Sequence, residues 1–145
     1  MPYKNIEINV ANYSEQHTKQ DSQFYKGFST VDPANYGSKL YDFDIIKQDI
    51  LNHFNTRRGS RVMNPKFGSI IWDLIMEPMT ADIQSLLQQD VKTICTFDPR
   101  VYPTQIDIAE LEQGFFVSVT LVMKNTNQSS NMKMMFDQQT GLSLQ

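Results

Sequence analysis

The stretch Phe115-Phe116-Val117-Ser118-Val119-Thr120-Leu121-Val122-Met123 decides the fold class. Phe115, Val117, Val119, Leu121 and Met123 alternate with Phe116, Ser118, Thr120 and Val122. A period of two is what a strand shows when one of its faces packs on a core. Thr104–Glu110 upstream alternates in the same way, and so do Met132, Met134 and Phe136 downstream, beyond the polar loop 125–131. Three strands joined by short links predict an antiparallel meander with one face covered.

Two helices supply the cover. Ile46, Ile50 and Phe54 recur at four-residue spacing, and Leu51 widens the stripe. Asp42 or Asp44 is placed to cap the first-turn amides. Arg57 and Arg58 suit the carboxyl end, and Gly59 suits a left-handed stop. In the second helix Thr80 is the cap, Asp82 lies in the first turn, and Ile83, Leu87, Val91 and Ile94 form the core stripe with Leu86 beside it. Asp98-Pro99 ends it, because a residue before proline avoids helical geometry. Between the helices, Asn64–Gly68 reads as a turn. Ile70–Met76 reads as either a buried strand or a short buried helix, since periodicity cannot decide so short a run. Residues 1–40 are polar with scattered aromatics and read as an N-terminal arm, partly extended or flexible, with 1–23 draped and Tyr25–Val31 a short strand. The expected architecture is α+β: two main helices on one face of a small antiparallel sheet, in a single domain spanning 41–145.

With 145 residues and 16.8 kDa, the chain has room for one core. A formal net charge of −3 and a pI near 5.3 disfavour general binding to nucleic acid or anionic membranes. The amino terminus lacks the apolar run of a secretory signal, and no segment is long and apolar enough to span a bilayer. Expression and folding in a cytoplasm are therefore expected. The charge is unevenly placed. No acid falls between Asp49 and Asp73, whereas Arg57, Arg58, Arg61 and Lys66 do. That local excess is either a solvated loop or a contact for an acidic protein.

The chemistry of catalysis is hard to find. His17 and His53 have no cysteine or histidine at metal-ligand spacing and read as surface or boundary residues. Cys95, the lone cysteine, permits no intrachain disulfide and reads as a packing residue. No glycine-rich phosphate loop or nucleophile elbow is present. Glu77 and Asp98 flank the second helix, about 25 Å apart at 1.5 Å per residue, too far for a glycosidase pair. No catalytic residue, metal site or cofactor is expected.

Two segments carry a resemblance. Thr56-Arg57-Arg58-Gly59-Ser60-Arg61 is followed by Asn64-Pro65-Lys66-Phe67-Gly68, and Phe97-Asp98-Pro99-Arg100-Val101 comes directly after the long helix. In order and spacing they resemble the baseplate wedge proteins of contractile-tailed bacteriophages, a family that also supplies the sheath-initiating baseplate subunit of type VI secretion systems. The resemblance covers roughly residues 43–137 and extends through Trp72-Asp73-Leu74 and Glu77-Pro78, as in phage members. The family signature is Glu-Pro-Arg. Here Asp98, one methylene shorter, stands for the glutamate, and Pro99 and Arg100 match.

The resemblance implies a structural subunit of the virion tail baseplate, assembled in the bacterial host. Its implied partners are the larger wedge proteins, the tail sheath subunits, and tube or hub proteins, in six copies by family symmetry. Asp98, Pro99 and Arg100 are the expected dock on the wedge core bundle, with Arg57, Arg58 and Arg61 as accessory contacts. A planar guanidinium fork held by a proline corner suits carboxylates or the carbonyls at a helix end. Open sheet edges invite strand addition by sheath arms. The expected positions are Phe116, Ser118, Thr120 and Val122 on one strand and Met132, Lys133 and Met135 on the next. Competing readings are a tail-associated, lysozyme-like peptidoglycan hydrolase, and an unrelated adaptor that binds through its N-terminal arm.

Overall fold

Alternation in the second half of the chain becomes a sheet with one buried side. The computed structural model describes residues 24–31 and 33–145; the expected arm over 1–23, with His17, lies outside the described residues. In chain order the elements are β1 (Lys26–Phe28), a 3-10 turn (Pro33–Asn35), β2 (Lys39–Tyr41), α1 (Phe43–Asn55), α2 (Ile71–Leu74), α3 (Ala81–Phe97), β3 (Val101–Leu111), β4 (Gly114–Met123), β5 (Ser129–Asp137) and β6 (Gly141–Leu144). The main sheet is antiparallel in the order β3-β4-β5-β6, and β1 pairs with β2 in a separate hairpin. The α+β class is as expected, with a fourth strand. Four residues are too few for alternation to stand out, so Leu142 and Leu144 gave no usable signal.

Register places the apolar residues on one face. Val119 lies between Ile106 and Met132, and Phe115 lies opposite Phe136. Phe115, Val117, Val119, Leu121 and Met123 are all buried. Above them pack Ile46, Ile50, Leu51 and Phe54 of α1 and Leu87, Val91, Ile94 and Cys95 of α3. Phe54 meets Phe136 edge-on at 5.6 Å. Met132, expected to face a partner, is 2% exposed, because its place opposite Val119 puts it on the inner face. Leu86 lies off the stripe that faces the sheet and is exposed. The Ile70–Met76 run holds the short helix α2, and Trp72 Nε1 donates to the Phe54 carbonyl at 2.6 Å.

The helix ends differ from one another. Thr80 caps α3, its hydroxyl accepting from Ile83 N–H at 3.4 Å. Asp42 precedes α1 without capping it. Its Oδ1 instead accepts from the amides of Phe24 and Tyr25 at 2.9 and 3.0 Å. Gln48, buried on α1, donates to the Phe28 carbonyl and accepts from Thr30 N–H, reading the hairpin backbone as a strand would. These bonds fasten residues 24–41 to α1. The helix stops at Asn55 with Thr56 extended, so Gly59 is not its terminator; its φ of +86° serves the turn that follows.

One acid lies where the stripe of α3 should be apolar. Asp90 is 4% exposed. It pairs with the Arg58 guanidinium and accepts from Ser69 Oγ at 2.8 Å and Ile70 N–H at 3.1 Å. Buried charge is tolerated when it is paired and its lone pairs are satisfied. The loop it holds is closed by Ser69 N–H to Thr56 O at 2.8 Å. Gly68 is required there: its φ is +115°, and a Cβ would sit 2.5 Å from the Thr56 carbonyl. Asp90→Ala should cost ~3 kcal/mol, because Ser69 and Ile70 lose their acceptor and Arg58 its counter-charge. The shift in urea unfolding midpoint measures it, and an unchanged midpoint would refute the role given to Asp90.

Candidate functional site

Pro99 stops α3 and sends the chain into β3, so Asp98 adopts extended geometry with φ −82° and ψ 118°. The Asp98 carboxylate folds back over the corner. Oδ1 accepts from Arg100 N–H at 3.0 Å and Nε at 2.9 Å, and Oδ2 accepts from Nη2 at 2.5 Å. Asp49 of α1 accepts from the same Nη2 at 2.6 Å. The direction of the Arg100 fork is thus fixed by two carboxylates as well as by the proline. Tyr25 of the hairpin lies 5.2 Å from the guanidinium carbon.

These contacts set the charge states. Burial pushes the Asp98 carboxyl up, but hydrogen bonds and charge from Arg100 outweigh it and leave it below the usual carboxylate range. The hydrogen bond to Asp98, opposed by burial and helped by Asp49, raises Arg100 further above its ordinary value. The corner is a locked cluster of one guanidinium between two carboxylates.

Beside it lies a groove of about 490 Å³ lined by Asp49, Asn52, His53, Arg61, Phe67, Phe97, Pro99 and Arg100, among others. Phe97 is 63% exposed on its rim. His53, expected at the surface or boundary, is a buried residue of the groove wall: its ring stacks on Phe67 at 3.9 Å and meets Phe97 edge-on at 5.1 Å. Burial lowers its pKa below 6.5; Asp90 opposes that, and Arg61 and Arg58 add to it. The Arg61 guanidinium lies 3.9 Å from the Phe67 ring centre.

The three accessory arginines separate. Arg57 pairs with Asp73 at the surface, Arg58 turns inward to Asp90, and Arg61 alone of the three lines the groove with Arg100. Asp49 and Asp90 were missed by sequence reading. Asp90 did carry a signal, since an acid between Leu87 and Val91 interrupts the apolar stripe. Asp49 carried none, because its partner lies 51 residues away.

Strand positions also divide. β4 is bonded to β3 on one side and to β5 on the other. Phe116, Ser118, Thr120 and Val122 therefore cannot take an added strand; their side chains lie on the outer face, partly exposed. On β5, Met135 is opposite Ser143 of β6. Pairing with β6 ends at Met134, and one further bond runs from Gln145 N–H to the Lys133 carbonyl. Among the described residues, nothing pairs with the outer edge of β5 from Ser129 to Met132. Among the described residues the other unpaired edge is β3, which carries Pro103 and a register shift between Pro103 and Gln105.

Among the described residues no cluster of histidine, cysteine or acid could hold a metal ion, and no helix is long and apolar enough to cross a membrane. Burial pushes the Cys95 thiol up to about 12, which suits packing and not reactivity.

Residues 41–128, from the last residue of β2 to the loop after β4, match the family described as baseplate wedge protein gp25. The chain belongs to this family. As a baseplate wedge family member it has its place in the baseplate of a contractile tail, among other baseplate components. A crystal structure from Geobacter sulfurreducens, of a protein provisionally assigned as a tail lysozyme, is similar with 21% identity and a TM-score of 0.58. The likeness covers 75% of this chain and 95% of that one, and it shows a shared fold. Comparison with curated proteins gives no match.

The wedge protein's site groups should register in its pH dependence. Asp98 has a lower pKa folded than unfolded, so its contribution is present above the unfolded value, ~3.9, and is lost as pH falls through the folded value. His53 is also lowered, so the unfolded chain binds its proton first and stability declines as pH drops below ~6.5. Urea midpoints measured from pH 7 to 5 should fall less for His53→Phe than for the unaltered chain. Below about pH 4 the flatter profile should belong to Asp98→Asn. Parallel profiles in both windows would contradict these assignments.

Proposed function

We propose that this wedge protein is a non-enzymatic initiator. It docks on the core bundle of larger wedge proteins through the Asp98-Pro99-Arg100 corner and starts sheath polymerisation by offering strand edges, in six copies per baseplate. The observation that carries the reading is the corner itself: an arginine fork locked by Asp98 and Asp49 on the rim of an aromatic groove. A group held in one orientation loses little freedom on docking.

Sheath addition is best supported on the bare stretch of β5 from Ser129 to Met132, continuing the line of β6. The β3 edge is blunted by Pro103, its register shift and the charges of Asp107 and Glu110, devices that discourage pairing. Ser129, Asn131 and Lys133 are exposed beside the β5 opening.

A hydrolase reading has less support. A glycosidase acid needs a raised pKa, whereas Asp98, the buried carboxylate of the groove, is held ionised by Arg100. Purified protein should leave peptidoglycan intact in a zymogram; lysis abolished by Asp49→Asn or Asp98→Asn would reverse this assignment.

Arg100→Ala should keep the chain folded by circular dichroism and lower capture by co-expressed wedge proteins at least about tenfold. Normal assembly of sheathed tails with that variant would remove the docking role. Ser129→Lys with Asn131→Lys should spare wedge capture and block sheath seeding, since added charge guards an edge. Unimpaired seeding by that pair would move sheath contact elsewhere.

A further inference from the structure

The loop joining α1 to α2 holds two large apolar side chains in solvent. Val62 is 94% exposed and Met63 96%. Single exposed hydrophobics are ordinary, but two neighbours almost wholly uncovered at a loop tip are not. The loop is closed by its own backbone. Gly59 N–H donates to the Pro65 carbonyl at 3.0 Å, Phe67 N–H to Asn64 at 3.2 Å, and Ser60 N–H to Arg57 at 3.1 Å. Its root is fastened through Arg58 to Asp90. Val62 and Met63 thus project from a backbone frame ordered when the chain folds, so little backbone entropy remains to be lost on docking.

Charge around the tip is positive and only partly answered. Arg57 faces Asp73 and Arg58 faces Asp90, but among the described residues neither Arg61 nor Lys66 has a carboxylate within ion-pair distance. Arg61 also lies over Phe67, which makes the tip continuous with the wall of the groove beside Arg100.

We propose that Val62 and Met63 form an insertion knob that seats in an apolar socket with an acidic rim on a neighbouring baseplate protein, with Arg61 and Lys66 facing that rim. The inference rests on the docking reading above and specifies the chemistry of its partner. A protein socket fits better than an anionic bilayer: the chain carries a net charge of −3, and two side chains give little depth of insertion. An unbranched thioether such as Met63 adapts to an irregular pocket.

The test uses the full chain and the larger wedge proteins of the same tail, with affinity titrated at low and high salt. Val62→Ser with Met63→Ser should weaken wedge binding about tenfold or more while leaving the unfolding midpoint in place, because both side chains are already in water. Arg61→Gln with Lys66→Gln should weaken binding mainly at low salt and flatten its salt dependence. Unchanged wedge affinity of the serine pair, alongside loss of binding by Arg100→Ala, overturns the knob and leaves the docking corner standing. Absence of binding by the unaltered chain overturns both. Co-sedimentation with phosphatidylserine vesicles that depends on Val62 and Met63 assigns the tip to membrane and overturns the protein socket. A change in the chain's own oligomeric mass in the serine pair assigns the tip to a second copy and overturns it equally.

Discussion

A single buried carboxylate holds the connection between the helices in place. Asp90 sits on the inward side of α3 and gathers Arg58, Ser69 and the Ile70 amide onto one group. Without it Arg58, Ser69 and the Ile70 amide would lose their shared partner. The segment 56–70 would then be tied mainly by its own backbone bonds, by Arg57 to Asp73 and by Phe67 packing on His53 and Phe97. The demand propagates. Ser69 must reach α3, so the chain must pass close to Thr56, and Gly68 leaves no room there for a side chain. His53, Phe67 and Phe97 then close around one wall of the groove. The basic run that looks from sequence like a docking patch is thus in part an internal fastening. Arg58 serves the core, Arg57 answers Asp73, and only Arg61 remains directed at the groove.

What was legible in the sequence follows how local each signal was. β4 and α3 were plain because a period of two or of 3.6 residues, sustained over ten or more residues, has few competing explanations. β6 is too short for such a signal. Met132 lies on an alternating strand, and its face is settled only by the register opposite Val119. Asp42 failed as a predicted cap because a better use for its carboxylate lay in the hairpin, 17 and 18 residues away. The Asp98-Pro99-Arg100 corner was legible through proline geometry. Asp49 was not, since nothing in the chain between it and Arg100 marks the pair.

Sheet order decides what the β region can offer. Alternation identifies strands but says nothing of which lie inside the sheet. Bonding on both sides closes the β4 backbone, and among the described residues the open main-chain groups fall on β3 and on the first half of β5. Those two edges differ in kind. β3 has a proline, a register shift and two acids; β5 has serines, an asparagine and one lysine beside its gap. An edge protected by the usual devices belongs to a strand that gains nothing from pairing, whereas an unprotected edge of similar exposure invites it.

The locked state of Arg100 bears on how such a corner could recognise a neighbour. Its Nε and Nη2 already donate to Asp98 and Asp49, so a partner carboxylate would have to displace a bond inside this chain or use what is left of the fork. Exchange of one ion pair for another contributes little net energy, because desolvation is incurred on both sides. Net affinity would then come from apolar area, and the exposed apolar residues include Phe97 on the groove rim and Val62 and Met63 on the loop that carries Arg61. On the proposed docking, the hydrophobic surface would supply the net gain, while removing the arginine would cost binding by leaving Asp98 and Asp49 uncompensated in the contact. The corner and the loop would then form two parts of one contact, joined by the groove that Arg61 and Arg100 both line.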